Sequence, residues 1–255
     1  MQSVLNFITH ISHLAIKLTI IVGIVFFTNS CEKDCFENVG KDSQTIMMVK
    51  DFAKINFHHN FKIYLFQDTC NYVELVGKEN LIANINANVS EQTLSFEDNN
   101  SCKLFKGYHQ TQLNIHFKNL TEIFIDASPE IYSKDTLHFD QLFIENKGDL
   151  VTWDFIVDAQ KLDLKFHAVV GKIKLNGFVN QLYLYTSGSN HCFFKDLVCN
   201  NAEINHTSPG NIYLTVKEKL NLSLNSSGSF YCYGNPSDTS ISVKKYAIGK
   251  IYYEQ

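Results

Sequence analysis

From Phe57 onward the chain alternates apolar and polar residues with period two. Phe61–Asp68 reads FKIYLFQD, Asn71–Gly77 reads NYVELVG, and TLSFED and QLNIHF follow at Thr93 and Gln112. Runs of this kind predict strands with one buried face. Only Glu79–Val89, ENLIANINANV, suggests a short helical turn, and no long amphipathic helix is predicted.

Between Thr121 and Tyr233 an apolar-x-apolar pair recurs. The pairs are Ile123/Ile125, Leu142/Ile144, Leu162/Leu164, Leu182/Leu184, Ala202/Ile204 and Leu220/Leu222, with first members 19, 20, 20, 20 and 18 residues apart. A period in this range predicts a solenoid, because one short repeat cannot bury its apolar side chains without a neighbour stacked on each side. A second element keeps step. Corner residues Gly148, Gly171, Asn190, Gly210 and Gly228 each precede another alternating stretch. Counting two residues past each corner predicts an inward column of Leu150, Ile173, Cys192, Ile212 and Phe230, followed by Thr152, Leu175, Phe194, Leu214 and Cys232. The residues between them, Val151, Lys174, Phe193, Tyr213 and Tyr231, are then predicted to face outward.

The first thirty residues follow a different pattern. Leu18–Phe27 is an uncharged apolar run after Lys17, ending in Thr28, Asn29 and Ser30 before Cys31. Ten residues are too few to span a bilayer, and the arrangement reads as a secretory signal. FTNSC resembles the lipobox of bacterial lipoproteins, with Thr28 where that motif usually has Leu. The reading is a signal peptide over 1–30, a lipidated polar tether over 31–56 and a β-solenoid body over 57–255. Acyl chains on Cys31 would then hold the body to a membrane. The alternative is an uncleaved anchor extending back through His10 and His13.

Composition narrows the partners. With 22 basic and 26 acidic residues the formal charge is -4, so no cationic field attracts nucleic acid. Three Pro and twelve Gly, against abundant aromatic and aliphatic residues, suit strands joined by Asn and Gly turns. With Cys31 assigned to lipid, Cys35, Cys70, Cys102, Cys192, Cys199 and Cys232 remain, in a compartment where disulfides persist. Cys70 and Cys102 flank the first strand group at turns and form the candidate disulfide. Ten histidines show no H-x-x-x-H or H-x-H spacing, and no nucleotide, hydrolase or zinc signature is present. No cofactor, metal site or catalytic residue is assigned.

Leu220–Pro236, LNLSLNSSGSFYCYGNP, resembles the closing signature of the head GIN domain family, adhesin-like proteins found mainly as lipoproteins of Bacteroidetes. Asn71–Cys102 is similar to that family's opening hairpin, and Ser208–Leu214, SPGNIYL, to its penultimate rung. The resemblance covers roughly Phe57 to Gln255 and departs from the family at the non-glycine corners Asn190 and Pro129. It implies a single-domain, all-β, right-handed parallel β-solenoid in the cell envelope, as an outer-membrane lipoprotein facing the periplasm or the surface. It implies no enzymatic activity.

The candidate binding face is the aromatic column Phe193, Tyr213 and Tyr231. Large, rigid rings on a regular face suit sugar rings or a protein surface. Two structural roles compete with binding. The rings could simply brace adjacent strands, or the tail Ser240–Tyr253 could cap them. The functional expectation is a non-enzymatic adhesion or binding module for a protein or polysaccharide. The rivals are a glycan-acting enzyme using Asp126, Asp140, Glu145, Asp149, Asp158 or Asp163, and a structural protein that self-associates through its solenoid ends.

Overall fold

A computed structural model describes residues 38–101 and 109–254. The chain divides into two units. One, Met1–Val39 with Asn100–Tyr108, lies almost wholly outside the described residues, and the account below concerns the other, Gly40–Asn99 with His109–Gln255. It is all-β, 67% strand, and forms a β-solenoid of about 7 turns.

The opening half holds β1 (Asp42–Met48), β2 (Lys54–Phe57), β3 (Lys62–Gln67), β4 (Tyr72–Lys78), the four-residue helix α1 (Glu79–Ile82), β5 (Ile85–Ser90), β6 (Thr93–Asp98), β7 (Gln112–Phe117) and β8 (Glu122–Ile125). Four long strands of 17 residues follow: β9 (Glu130–Asn146), β10 (Leu150–Phe166), β11 (Val170–Thr186) and β12 (Asn190–His206). The stack closes with β13 (Ile212–Leu224), β14 (Phe230–Tyr233), β15 (Asp238–Val243) and β16 (Ile251–Glu254). One hydrogen-bonded path crosses the structure in the order β1-β4-β7-β3-β9-β10-β11-β12-β13-β14-β16, while β15 adds to β13 on the other side.

Each long strand serves both sides of the solenoid. In β10, Val151, Trp153, Phe155, Val157 and Ala159 are buried; Gln160 and Lys161 then both face out, and burial resumes at Leu162, Leu164 and Phe166. Two successive outward residues shift the alternation by one and carry the chain round a corner with its apolar side still inward. Asparagines are concentrated at these corners because their amides bond up the stack. Asn200 Nδ2 donates to Asn180 Oδ1 at 2.9 Å, and just past the end of β13 Asn225 Nδ2 donates to Asn205 Oδ1 on the outer face of β12, also at 2.9 Å.

From Leu142 onward the predicted interval is the register itself; the first pair is displaced by two residues, since Ile123 lies opposite Ile144 rather than Leu142 and Ile125 opposite Asn146. Leu142, Leu162, Leu182, Ala202 and Leu220 lie opposite one another in turn, as do Ile144, Leu164, Leu184, Ile204 and Leu222. All ten are buried, each contributing about 1.5–3 kcal/mol of apolar burial where the side chain is Leu or Ile. At the far corner the interior column turns polar. Asn190 Nδ2 donates to the Ser187 carbonyl at 2.7 Å, Thr186 donates to Asn190 Oδ1, and Ser208 donates to the Asn190 carbonyl at 3.1 Å. These buried groups satisfy corner backbone that neighbouring strands do not. His206 is fully buried here, under Gly228, and burial pushes its pKa down to about 4.

Four expectations need correction. Residues 31–56 are not all tether, since β1 and β2 lie within them. β1 was invisible to periodicity because, as an edge strand, DSQTIMM buries no residue; it pairs antiparallel with β4 over seven positions. The second concerns the first corner. Gly171 lies opposite Val151, so the residue matching it in the preceding rung is Val151, not Gly148. Leu150 is therefore 59% exposed and Thr152 exposed, while Val151 is 2% exposed and inward. Third, the tail does not cap the aromatic face: β15 and β16 add another rung to β13 and β14. Fourth, Cys192, Cys199 and Cys232 carry free buried thiols, packed as small apolar groups of the inward columns. Burial pushes the Cys232 thiol up to about 11 and the other two higher.

Candidate functional site

The strand register turns one outward position per strand into a single line across the sheet. From the opening end it runs Glu74, Asn114, Tyr64, Tyr132, Asp154, Lys174, Phe193, Tyr213, Tyr231 and Tyr252. Neighbours on this line are one strand spacing apart, so flat side chains stack face to face. Phe193 and Tyr213 have ring centroids 5.5 Å apart and an interplanar angle of 5°; Tyr213 and Tyr231 are at 4.6 Å and 14°, Tyr231 and Tyr252 at 4.8 Å and 15°.

The column is thus one ring longer than predicted. Phe193, Tyr213 and Tyr231 face outward as expected, and Tyr252 joins them. Val151 leaves the list, its place on the line being taken by Asp154, which pairs with Lys174 at 3.2 Å. Sequence reasoning missed Tyr252 because the list of corners stopped at Gly228; Gly249 was the available signal, two positions before Ile251 as Gly228 is before Phe230.

Polar groups line both edges of the rings. On one side lie His191, Asn211, Ser229 and Lys250; Asn211 Nδ2 donates to the Tyr213 hydroxyl at 3.3 Å, and His191 stacks on Phe193 at 6.1 Å. On the other side Lys195 Nζ sits 4.6 Å above the Tyr233 ring. Phe193 is 39% exposed and Tyr252 38%, so ring faces and edges reach solvent. Desolvation and then the neighbouring Tyr213 and Tyr252 phenols raise the Tyr231 pKa, which keeps the hydroxyl neutral and able to donate. A second, shorter pair further down the line, Tyr64 and Tyr132 at 5.3 Å, lies beneath Lys62. There the Tyr132 hydroxyl donates to Glu130 at 2.8 Å, and burial followed by that bond raises its pKa to about 12.

The acidic residues considered for hydrolysis are distributed differently. Asp126 pairs with His58 at 2.7 Å, Asp158 with His138 at 3.1 Å, Asp163 with Lys161 at 3.0 Å, and Glu145 with Lys147 and His167 at 3.2 and 3.0 Å. Each of these four meets a basic side chain rather than another carboxylate. Among the described residues no group of three or more His, Cys, Asp or Glu side chains is arranged to hold a metal ion, and no helix is long and apolar enough to cross a membrane. Cys70 carries an exposed free thiol, while Cys102, its expected partner, and the lipidation candidate Cys31 lie outside the described residues.

No curated protein matches the chain significantly. Among solved structures, a putative adhesin from Bacteroides fragilis is similar with a TM-score of 0.73 and 25% identity, over 84% of this chain and 97% of that one. A putative lipid binding protein from Parabacteroides distasonis follows at 0.60 and 18%, over 85% and 98%, and a putative adhesin from Parabacteroides merdae at 0.58 and 15%, over 86% and 98%. The last two likenesses concern the fold. Residues 51–236 match the family described as "Putative auto-transporter adhesin, head GIN domain", and the matched span runs from β2 to β14 and includes all of the column except Tyr252. The chain belongs to the head GIN domain family.

Proposed function

We propose that this protein is a lipid-anchored, non-enzymatic adhesion module that holds a polysaccharide along the column Phe193, Tyr213, Tyr231 and Tyr252. The carrying observation is the unbroken ring stack, with the amide of Asn211 and the hydroxyl of Ser229 beside it and Lys250 and Lys195 at its two edges. Aromatic faces take up the apolar faces of sugar rings, and side chains such as Asn211 and Ser229 supply hydrogen bonds at their edges. The rings lose little entropy on contact because their neighbours already hold them in place. A protein partner would use the same rings. The sugar reading is favoured because the rings stand as a regular row with hydrogen-bonding groups at their edges, which suits a repeating chain of sugar rings. The adhesin name carried by the Bacteroides fragilis relative supports a binding role. Attachment to the envelope through an acylated Cys31 rests on the FTNSC context alone.

The test is a glycan array probed with the wild-type chain and with a Phe193→Ser, Tyr213→Ser, Tyr231→Ser triple variant. Binding by the wild type that the folded variant lacks supports the reading. Silence of the wild type across all glycans, or equal binding by both proteins, ends it. For the anchor, radioactive fatty acid should label the wild type in cells and leave Cys31→Ala unlabelled.

A further inference from the structure

The last rung exposes groups that every earlier rung buries. Ile241 and Val243 of β15 stand opposite Leu222 and Leu224 in the inward columns, and Ile251 and Tyr253 of β16 stand opposite Phe230 and Cys232. Their partners are buried, yet Ile241, Val243 and Tyr253 are exposed, and the nearby Tyr246 and Ile248 are 72% and 77% exposed. β15 and β16 are also edge strands, each hydrogen-bonded on one side. An open apolar rung with two free backbone edges is a template for further strands. At the opposite end α1 buries Leu81 and Ile82.

We propose that this end is closed by a second copy of the chain, related by a two-fold axis that runs parallel to the last rung, half a strand spacing beyond it. The two edges are self-complementary in three independent respects. The first is charge. In an antiparallel pairing centred on Tyr252, Lys250 meets Glu254 of the second copy, and the reverse, giving two ion pairs. In a pairing centred on Ile241, Asp238, which also pairs with Lys219 of its own chain at 3.1 Å, meets Lys244 in the same way. The second is side-chain direction. Opposite residues of antiparallel strands point to the same side. Both registers set inward residues against inward ones, Ile251 against Tyr253 and Thr239 against Val243. Tyr252 stacks on its own copy, so the aromatic column runs on across the junction.

The third is backbone bonding. Phe230 N–H donates to the Lys250 carbonyl at 2.9 Å, and Lys244 N–H donates to the Leu224 carbonyl at 3.0 Å. Backbone groups alternate along a strand, so Lys250 and Lys244 point into the sheet while Ile251, Tyr253, Thr239, Ile241 and Val243 present theirs to the free edge. The two registers bring those odd-numbered residues face to face.

The experiment uses the full chain isolated in mild detergent and charge exchange at one pair. By sedimentation velocity the wild type should be a dimer. Lys250→Glu and Glu254→Lys should each weaken association roughly tenfold, since two symmetric attractions become repulsions. The double exchange should recover wild-type behaviour. A Tyr252→Cys chain in intact cells should form a reducible dimer, because a non-hydrogen-bonded antiparallel pair holds its Cα atoms about 4.5 Å apart, within disulfide reach. Lys172→Cys, exposed on an earlier rung, should form none. A wild type that stays monomeric at about 100 μM, mass that grows beyond the dimer, equal losses in the single and double exchanges, or no cross-link at 252 would each overturn the proposal.

Discussion

The two outward faces of the late rungs are made by the same strands, yet they carry different chemistry. On one, Phe193, Tyr213, Tyr231 and Tyr252 form the ring stack. On the other, the lines reaching β15 run Glu203, Asn221, Ser240 and Asn205, Ser223, Ser242. The inward residues behind both faces are of one kind, Phe194, Leu214 and Cys232 behind the first and Ile204, Leu222 and Ile241 behind the second. Serine and asparagine therefore suffice on the outside for rungs to stack. The rings of the first face exceed what the fold demands, which is the reason to read them as a site rather than as bracing.

That contrast can be broken in several ways. The largest effect is expected from Leu214→Asp, which places an unpaired carboxylate in the inward column. It should cost about 3–5 kcal/mol and unfold the late rungs in thermal melts. If it is tolerated, the inward assignment fails. Next comes acid. His206, on the inward side, has its pKa lowered to about 4 in the folded chain from 6.5. The unfolded chain takes up the proton first as pH falls, so this contribution is intact above about pH 6.5 and is lost progressively toward pH 4, by at most about 3 kcal/mol. His206→Leu should flatten the pH dependence of the melting temperature across that window.

Smaller effects test the outside. Tyr213→Asp should shift stability by about 1 kcal/mol or less, yet abolish attachment or glycan binding. Destabilisation matching that of Leu214→Asp would show the ring to be structural. The smallest effect is expected on the opposite face, where Ser223→Tyr should change stability by no more than about 0.5 kcal/mol and leave binding untouched. A large response there would mean the two faces are less independent than their composition suggests.

The inward and outward sets of the late rungs were legible because period-two alternation recurs at a fixed interval. Tyr213 and Leu214 follow from counting alone. The first rung was misread because a glycine can serve two different corners. Gly148 lies two residues past Asn146, in line with Ala168 and Gly188 past Phe166 and Thr186, which are in register with Asn146. The chain there passes so close to Ala127 that a Cβ on Gly148 would sit 1.6 Å from its carbonyl oxygen. At the other corner Gly171, with a φ of +138°, needs its glycine for a separate reason. Sequence marks both positions with the same letter. β1 was illegible because it has no fully buried face: only Met47 packs, half-buried, against the core, and one such residue leaves no alternating trace. The ion pairs of Asp126 with His58, Asp158 with His138 and Glu145 with His167 could not be anticipated either, because they join residues from different rungs or distant strands.

The register also sets a schedule for folding. Lys62 of β3 must meet Glu130 of β9, 68 positions later, whereas Leu162 meets Leu182 only 20 positions on. Closing the longer loop costs about 1 kcal/mol more in chain entropy than closing the shorter one, and several such closures must coincide before β9 has a surface to join. The first half is thus the slow nucleus. Every later rung then lands on a finished edge as soon as one more repeat of chain is free, so folding should advance toward the C-terminus like a zip, in the order in which the chain is synthesised.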